Sequence, residues 1–118
     1  MGESVIKQKS FAFATRIVRL YQFLTQKKNE FIMSKQLMRS GTAVGALVRE
    51  AQNAESKADF IHKLGIAQKE CDESIYWIEL LKETDFLSQK EFESIYAEAN
   101  ALLKMIRSAI ISTKKKSL

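Results

Sequence analysis

Between Phe60 and Leu81 the chain keeps one spacing: Phe60, Leu64, Ala67, Cys71, Ser74, Ile78 and Leu81 follow one another at alternating steps of four and three. This is a heptad seam held for three full heptads, the pattern of a helix that lays one narrow stripe against a neighbouring helix. A half-buried strand would instead alternate at every second residue. A helix is therefore predicted from near Lys57, where Ser56 and Asp59 resemble a capping box, to the region of Glu83 to Asp85.

A stripe needs partners, and three further segments supply them. From about Ser10 to Lys27 the residues Phe11, Ala14, Ile17, Val18, Tyr21 and Leu24 recur at helical spacing and are expected to form a buried face. At ~100° per residue, Lys9, Arg16, Arg19, Phe23 and Lys27 fall on the opposite side. From Phe31 or Ser34 to Asn53, the seam Leu37, Gly41, Val44, Val48 and Ala51 opposes a stripe of Lys35, Arg39, Thr42, Ala46 and Arg49. Gly41 and Gly45 each cost a helix about 1 kcal/mol relative to Ala, which suggests that a neighbouring helix comes close there. A last helix opens at Ser88 and Glu91, whose spacing is that of a capping box, and continues through Phe92, Ile95, Ala99, Leu102, Ile106 and Ala109. Beyond Ser112 the lysines 114, 115 and 116 are expected to fray.

Proline is absent and glycine occurs four times, whereas a sheet-rich chain of 118 residues would need many turns that these residues supply. The expectation is an all-α fold, one antiparallel up-down-up-down four-helix bundle spanning residues 1–118, ordered from about 8 to 113, with a basic tail at 114–118. The single cysteine cannot close an intrachain disulfide, which suits a reducing compartment. No apolar run reaches the length of a signal peptide or membrane span, so a cytoplasmic protein with no membrane partner is expected. Leu47, Ile61, Ile75, Trp77, Leu103 and Ile110 lie beside their seams, more apolar surface than one bundle is expected to bury, and this points to self-association.

Charge is unevenly distributed. Residues 1–49 carry nine Lys or Arg against two Glu, residues 50–100 carry twelve acids against five Lys, and residues 101–118 carry five bases and no acid. Two outcomes are open: a basic first half that pairs internally with an acidic second half, or a basic patch that steers a polyanion. Arginine faces with Thr42 and Phe23 among them could contact phosphates and stack on bases.

Little else in the chain carries chemistry. Asp59 and His62 form one D-x-x-H pair, while a di-metal bundle needs two such pairs and further carboxylates, so no metal is expected. Cys71 lies in a seam, and His62 is about 13 Å away along the helix at ~1.5 Å per residue, too far for a nucleophile and base within one chain. Glu70, Asp72, Glu73 and Glu79 read as a solvated or salt-bridged face. No phosphate-cradling glycine loop or nucleophile elbow occurs. The reading is of a protein that is not an enzyme and takes no cofactor.

Four runs taken together resemble the four helix bundle protein family, also called the 23S rRNA intervening sequence protein family. They are F-x-x-R-I-V-x-L-Y at 13–21, Q-L-x-R-S-G-T-A-V-G-A-L-V-R-E-A at 36–51, S-K-A-D-F-I-H-K-L-x-I-A-x-K-E at 56–70 and E-S-I-Y-W-I-E-L-L at 73–81. Where many members carry N-I-A-E-G, this chain has Leu47-Val48-Arg49-Glu50-Ala51. The resemblance implies a homopentamer around a central channel, with relatives that assist a reverse transcriptase and bind nucleic acid. It places the family's basic positions at Arg16, Arg39 and Arg49 and its third-helix lysine at Lys69. With Arg19 and Lys35 from the stripes, these six residues are the expected contacts for RNA or DNA. The alternative is a protein-binding scaffold, or an accessory subunit of a nucleic-acid enzyme that touches no nucleic acid itself.

Overall fold

The structure, a computed structural model, describes residues 2–116. Four helices follow one another: α1 (Gly2–Gln26), α2 (Met33–Gln52), α3 (Lys57–Glu83) and α4 (Gln89–Lys116). No strand occurs among the described residues. Cross-helix pairings set the directions. Gly41 meets Ile17 while Gly45 meets Ser10, so α1 and α2 run antiparallel. Arg39 reaches Glu70 and Glu73 while Glu50 reaches Lys63, so α2 and α3 do the same. The helices enclose one continuous core; α1 packs on α2, α2 on α3 and α3 on α4, while α1 and α4 close the bundle with a much sparser contact.

The ends of the helices follow from local chemistry. Ser88 and Glu91 close a reciprocal box, the Ser88 amide donating to the Glu91 carboxylate at 2.8 Å and the Glu91 amide donating to the Ser88 hydroxyl at 3.1 Å. At α3 the Asp59 amide donates to Ser56 Oγ at 3.0 Å, but the shorter Asp59 carboxylate accepts from the amide of Glu55 and not from that of Ser56. The α1–α2 turn uses a different device. Asn29 takes a left-handed conformation (φ 54°), which Asn tolerates, and Glu30, buried beneath the turn, accepts from the amides of Ile32, Met33 and Ser34 at 3.0, 2.9 and 2.7 Å. One carboxylate thus satisfies three orphan donors at the start of α2 and places negative charge at the positive end of its dipole.

The seams expected for α2, α3 and α4 are the buried ones, with Phe60, Phe92 and Ala109 half-buried at their ends. Helix 1 differs. It begins at Gly2 instead of Ser10, and its buried residues are Ile6, Ser10, Phe13, Ile17 and Leu24. Phe11 is 59 % exposed, while Phe13 is fully buried. The helix is turned away from the expected face because Ser10 and Ile17 abut the two glycines of α2, which sets its phase. Helix 4 also differs, continuing as regular helix through Lys116 where fraying was expected; residues 117 and 118 of the expected basic tail lie outside the described residues.

The fold accommodates the apolar side chains that lie beside the seams. Ile75 and Leu103 are buried, Leu47, Trp77 and Ile110 pack against the core, and Ile61 is half-buried. Among the described residues the large apolar side chains left exposed are a different set: Val5, Phe11, Phe23, Phe31, Ile32, Tyr76 and Ile111. No described helix is long and apolar enough to cross a membrane.

Candidate nucleic-acid interface

The basic stripe of α2 is exposed, but its members take different environments. Arg39 sits on the α3 side of the stripe and is shared between two carboxylates one turn apart, with Nη1 3.1 Å from Glu70 and Nη2 2.5 Å from Glu73. The Glu73 carboxyl lies below its usual range because the neutral Trp77 Nε1 donates to it at 3.0 Å and the charged Arg39 guanidinium adds a second donor. Arg49 leans to the other side, with its guanidinium 5.5 Å from the centroid of the Phe11 ring on α1. The divergence follows from helical geometry, since Arg39 and Arg49 lie at the two margins of the ~80° arc. Lys35 is exposed between them.

On α1, Arg16 is directed toward α4, where Nη1 donates to Glu98 at 2.8 Å and Nη2 donates to Ser94 at 2.7 Å. Arg19 is exposed. On α3, Lys69 is exposed, and it points away from the core stripe of its own helix. Among the described residues, Arg19, Lys35, Arg49 and Lys69 have no carboxylate within 4.0 Å. The six expected contacts therefore divide in two. Arg16 and Arg39 are held by intramolecular carboxylates while keeping 38 % and 51 % of their side-chain surface in solvent. The other four are open to a partner.

Two residues that the sequence reading did not select join this surface. Lys7 and Phe11 of α1, with Ala14, Thr42, Gly45, Ala46 and Arg49, line a shallow concavity of about 400 Å³ between α1 and α2. The available signal was the spacing of Lys7, Phe11 and Ala14 along one face, which apolar periodicity assigned to the core. Phe23, expected in a basic face, is partly exposed with Lys28 Nζ 5.7 Å from its ring centroid.

The residues weighed for other chemistry occupy unremarkable settings. Cys71 is fully buried, its thiol directed at the carbonyl of Ala99 at 3.5 Å, and burial with the nearby Asp72 charge pushes its pKa up to about 12. His62 is exposed, and among the described residues no three His, Cys, Asp or Glu side chains gather as a metal site.

An all-α four-helix bundle that carries a basic outer stripe on its first two helices defines the class of this molecule. The family profile described as 23S rRNA-intervening sequence protein matches residues 3–108, and the chain belongs to that family. A crystal structure at 1.70 Å of a protein of unknown function from the S23 ribosomal protein family of Bacteroides thetaiotaomicron VPI-5482 is similar throughout, with 49 % sequence identity and a TM-score of 0.92. The match covers 93 % of this chain and 98 % of that one. No curated protein matches the chain.

Proposed function

We propose that this chain is a non-enzymatic, self-associating cytoplasmic bundle protein that holds RNA or DNA by phosphate contacts on its basic outer face. The pentameric assembly comes from the family resemblance of its motifs. One observation carries the nucleic-acid reading: Lys35 and Arg49 of α2, Arg19 of α1 and Lys69 of α3 are exposed with no carboxylate partner among the described residues, although the second half of the chain is rich in acids. The nearest acid in sequence to Arg49 is engaged elsewhere, since Glu50 accepts from Lys63 Nζ at 3.1 Å. Internal pairing thus accounts for Arg16 and Arg39 and leaves Arg19, Lys35, Arg49 and Lys69 to an external anion.

Phosphate binding of this kind releases counterions, so log K falls with log salt by about 0.9 per duplex phosphate contact. Affinity for labelled RNA and duplex DNA, measured between low and physiological salt, is expected to weaken steeply; no detectable binding at low salt would remove the reading. Arg49→Glu is expected to weaken binding more than Arg16→Glu, because Arg16 is already engaged with Glu98.

A second reading, a protein-binding scaffold or accessory subunit, is favoured by Phe31 and Ile32, which project from the α1–α2 turn at 59 % and 78 % exposure, and by exposed Tyr76. Reversing Arg39 and Arg49 together to Glu separates the two. Lost nucleic-acid binding with the particle mass still at five times 13.5 kDa supports the first reading, and a dissociated particle supports the second.

A further inference from the structure

We infer that the concavity between α1 and α2 is a stacking site for a base of single-stranded nucleic acid, with Phe11 as the platform and Arg49 and Lys7 as flanking phosphate contacts. This deepens the nucleic-acid reading above and rests on it.

The first observation is the position of Phe11. A phenylalanine 59 % exposed near the middle of an α-helix loses the stabilisation that burial would give it. The Arg49 guanidinium lies over the ring, 5.5 Å from its centroid, in cation–π contact. An aromatic face beside an arginine is the arrangement that receives unstacked bases, the ring offering a π-surface and the guanidinium a charged donor for the adjoining phosphate.

The second observation is the chemistry of the surroundings. The lining has a cation on each helix, Lys7 and Arg49, a hydroxyl at Thr42, small side chains at Ala14 and Ala46, and no acid. Gly45 forms part of the floor, and a side chain there would already press on the α1 backbone, 3.2 Å from the carbonyl oxygen of Ser10. The hollow is therefore shallow, apolar at its base and cationic at its rim. That suits a flat, uncharged base whose adjoining phosphate carries the negative charge.

The third consideration is selectivity. A duplex keeps its bases stacked inside, so Phe11 gains nothing from it, whereas a single strand can present a base to the ring. Phosphate contacts by Arg19, Lys35 and Lys69 serve both kinds of strand, and only the Phe11 contact separates them.

The test compares a labelled single-stranded oligonucleotide with a blunt duplex of the same length, by fluorescence anisotropy at one fixed salt concentration and then along a salt series. The wild-type chain is expected to prefer the single strand. Phe11→Ala should weaken single-strand binding by roughly tenfold, leave the salt slope and duplex affinity unchanged and leave the particle mass unchanged, while Phe11→Tyr retains the preference. Lys7→Ala should reduce the salt slope by about one contact. If wild type binds both strands equally and Phe11→Ala alters neither, the stacking site is wrong and phosphate binding stands. Should neither strand bind at low salt, the broader reading fails and takes this one with it. A Phe11→Ala particle of lower mass would assign the ring to a contact between copies of the chain and overturn the stacking site.

Discussion

Gly41 of α2 lies so close to Ile17 of α1 that a Cβ on the glycine would stand 2.7 Å from Ile17 Cγ1 and 2.9 Å from Cγ2. Ile17 is fully buried and β-branched, so its side chain has no free rotamer into which it could retreat. This contact, with the Gly45 to Ser10 approach two turns of α1 earlier, holds the core face of α1 in phase.

Gly41→Ala should therefore destabilise the protein despite the better helix propensity of Ala. Overpacking costs typically 1–3 kcal/mol, against about 1 kcal/mol gained by removing a helical glycine. Gly65 on α3 is the matched control, since no atom lies within 4 Å of a Cβ built there. Gly65→Ala should stabilise by up to about 1 kcal/mol. Urea denaturation of the two variants is expected to move the midpoint in opposite directions, and two shifts of the same sign would contradict this packing account.

Glu30 controls the start of α2. Burial raises the pKa of its carboxyl, but the amides of Met33, Ser34 and Ile32 and the Ser34 hydroxyl outweigh that effect and hold it below its ordinary value of 4.5. A carboxyl with a depressed folded pKa contributes stability that is fully present above its unfolded pKa and is lost as pH falls through the folded value. Stability should hardly change through this group between pH 7 and about 5.5 and should decline below 4.5. Glu30→Gln is expected to lower stability at pH 7 by about 1–3 kcal/mol, since an amide oxygen replaces a charged acceptor for three N–H groups, and to show a shallower decline in acid. Unfolding curves at stepped pH check both statements.

Arg39, Glu73 and Trp77 form a surface chain with its own reporter, because Trp77 is the single tryptophan. Glu73 accepts from the Trp77 indole and from Arg39, so Glu73→Ala should alter the Trp77 emission maximum, while Glu73→Gln should largely preserve it. The Arg39 to Glu73 coupling should be small, about 0.2–1 kcal/mol for a solvent-exposed pair. A double-mutant cycle in urea measures it, and a coupling of several kcal/mol would mean that the pair is far less hydrated than its exposure indicates.

The Cys71 thiol should be inert in the folded protein. Burial pushes its pKa up to about 12, so at pH 8 almost none is thiolate, and the core seam leaves no path for a reagent. Modification by a thiol reagent is expected to be slow and to track unfolding in a denaturant series. Rapid labelling under native conditions would show that α3 and α4 separate locally around Ala99.

The amino-acid pattern alone was enough for the elements themselves. Seams at steps of three and four identify α2, α3 and α4, and the caps at Ser56 and Ser88 locate two of their starts, because helical periodicity and capping depend on residues within a turn or two of one another. The fully buried positions Leu37, Leu64 and Leu81 could be selected on that basis. Helix 1 was less legible since apolar residues occupy more than one side of it, and Phe11, Phe13, Ile17 and Val18 offer two faces of comparable quality. Only the close approach of Ser10 and Ile17 to the glycines of α2 selects between them, sending Phe13 inward and leaving Phe11 beside Arg49. The division of the basic residues is likewise tertiary. Arg16 and Arg39 look equivalent to Arg49 along the chain, yet Glu98 lies 82 residues from Arg16 and Glu73 lies 34 from Arg39, separations that folding alone closes. Periodicity acts over a turn of helix and is written into neighbouring residues; which face turns inward and which charges meet are settled by helices packing across the whole bundle.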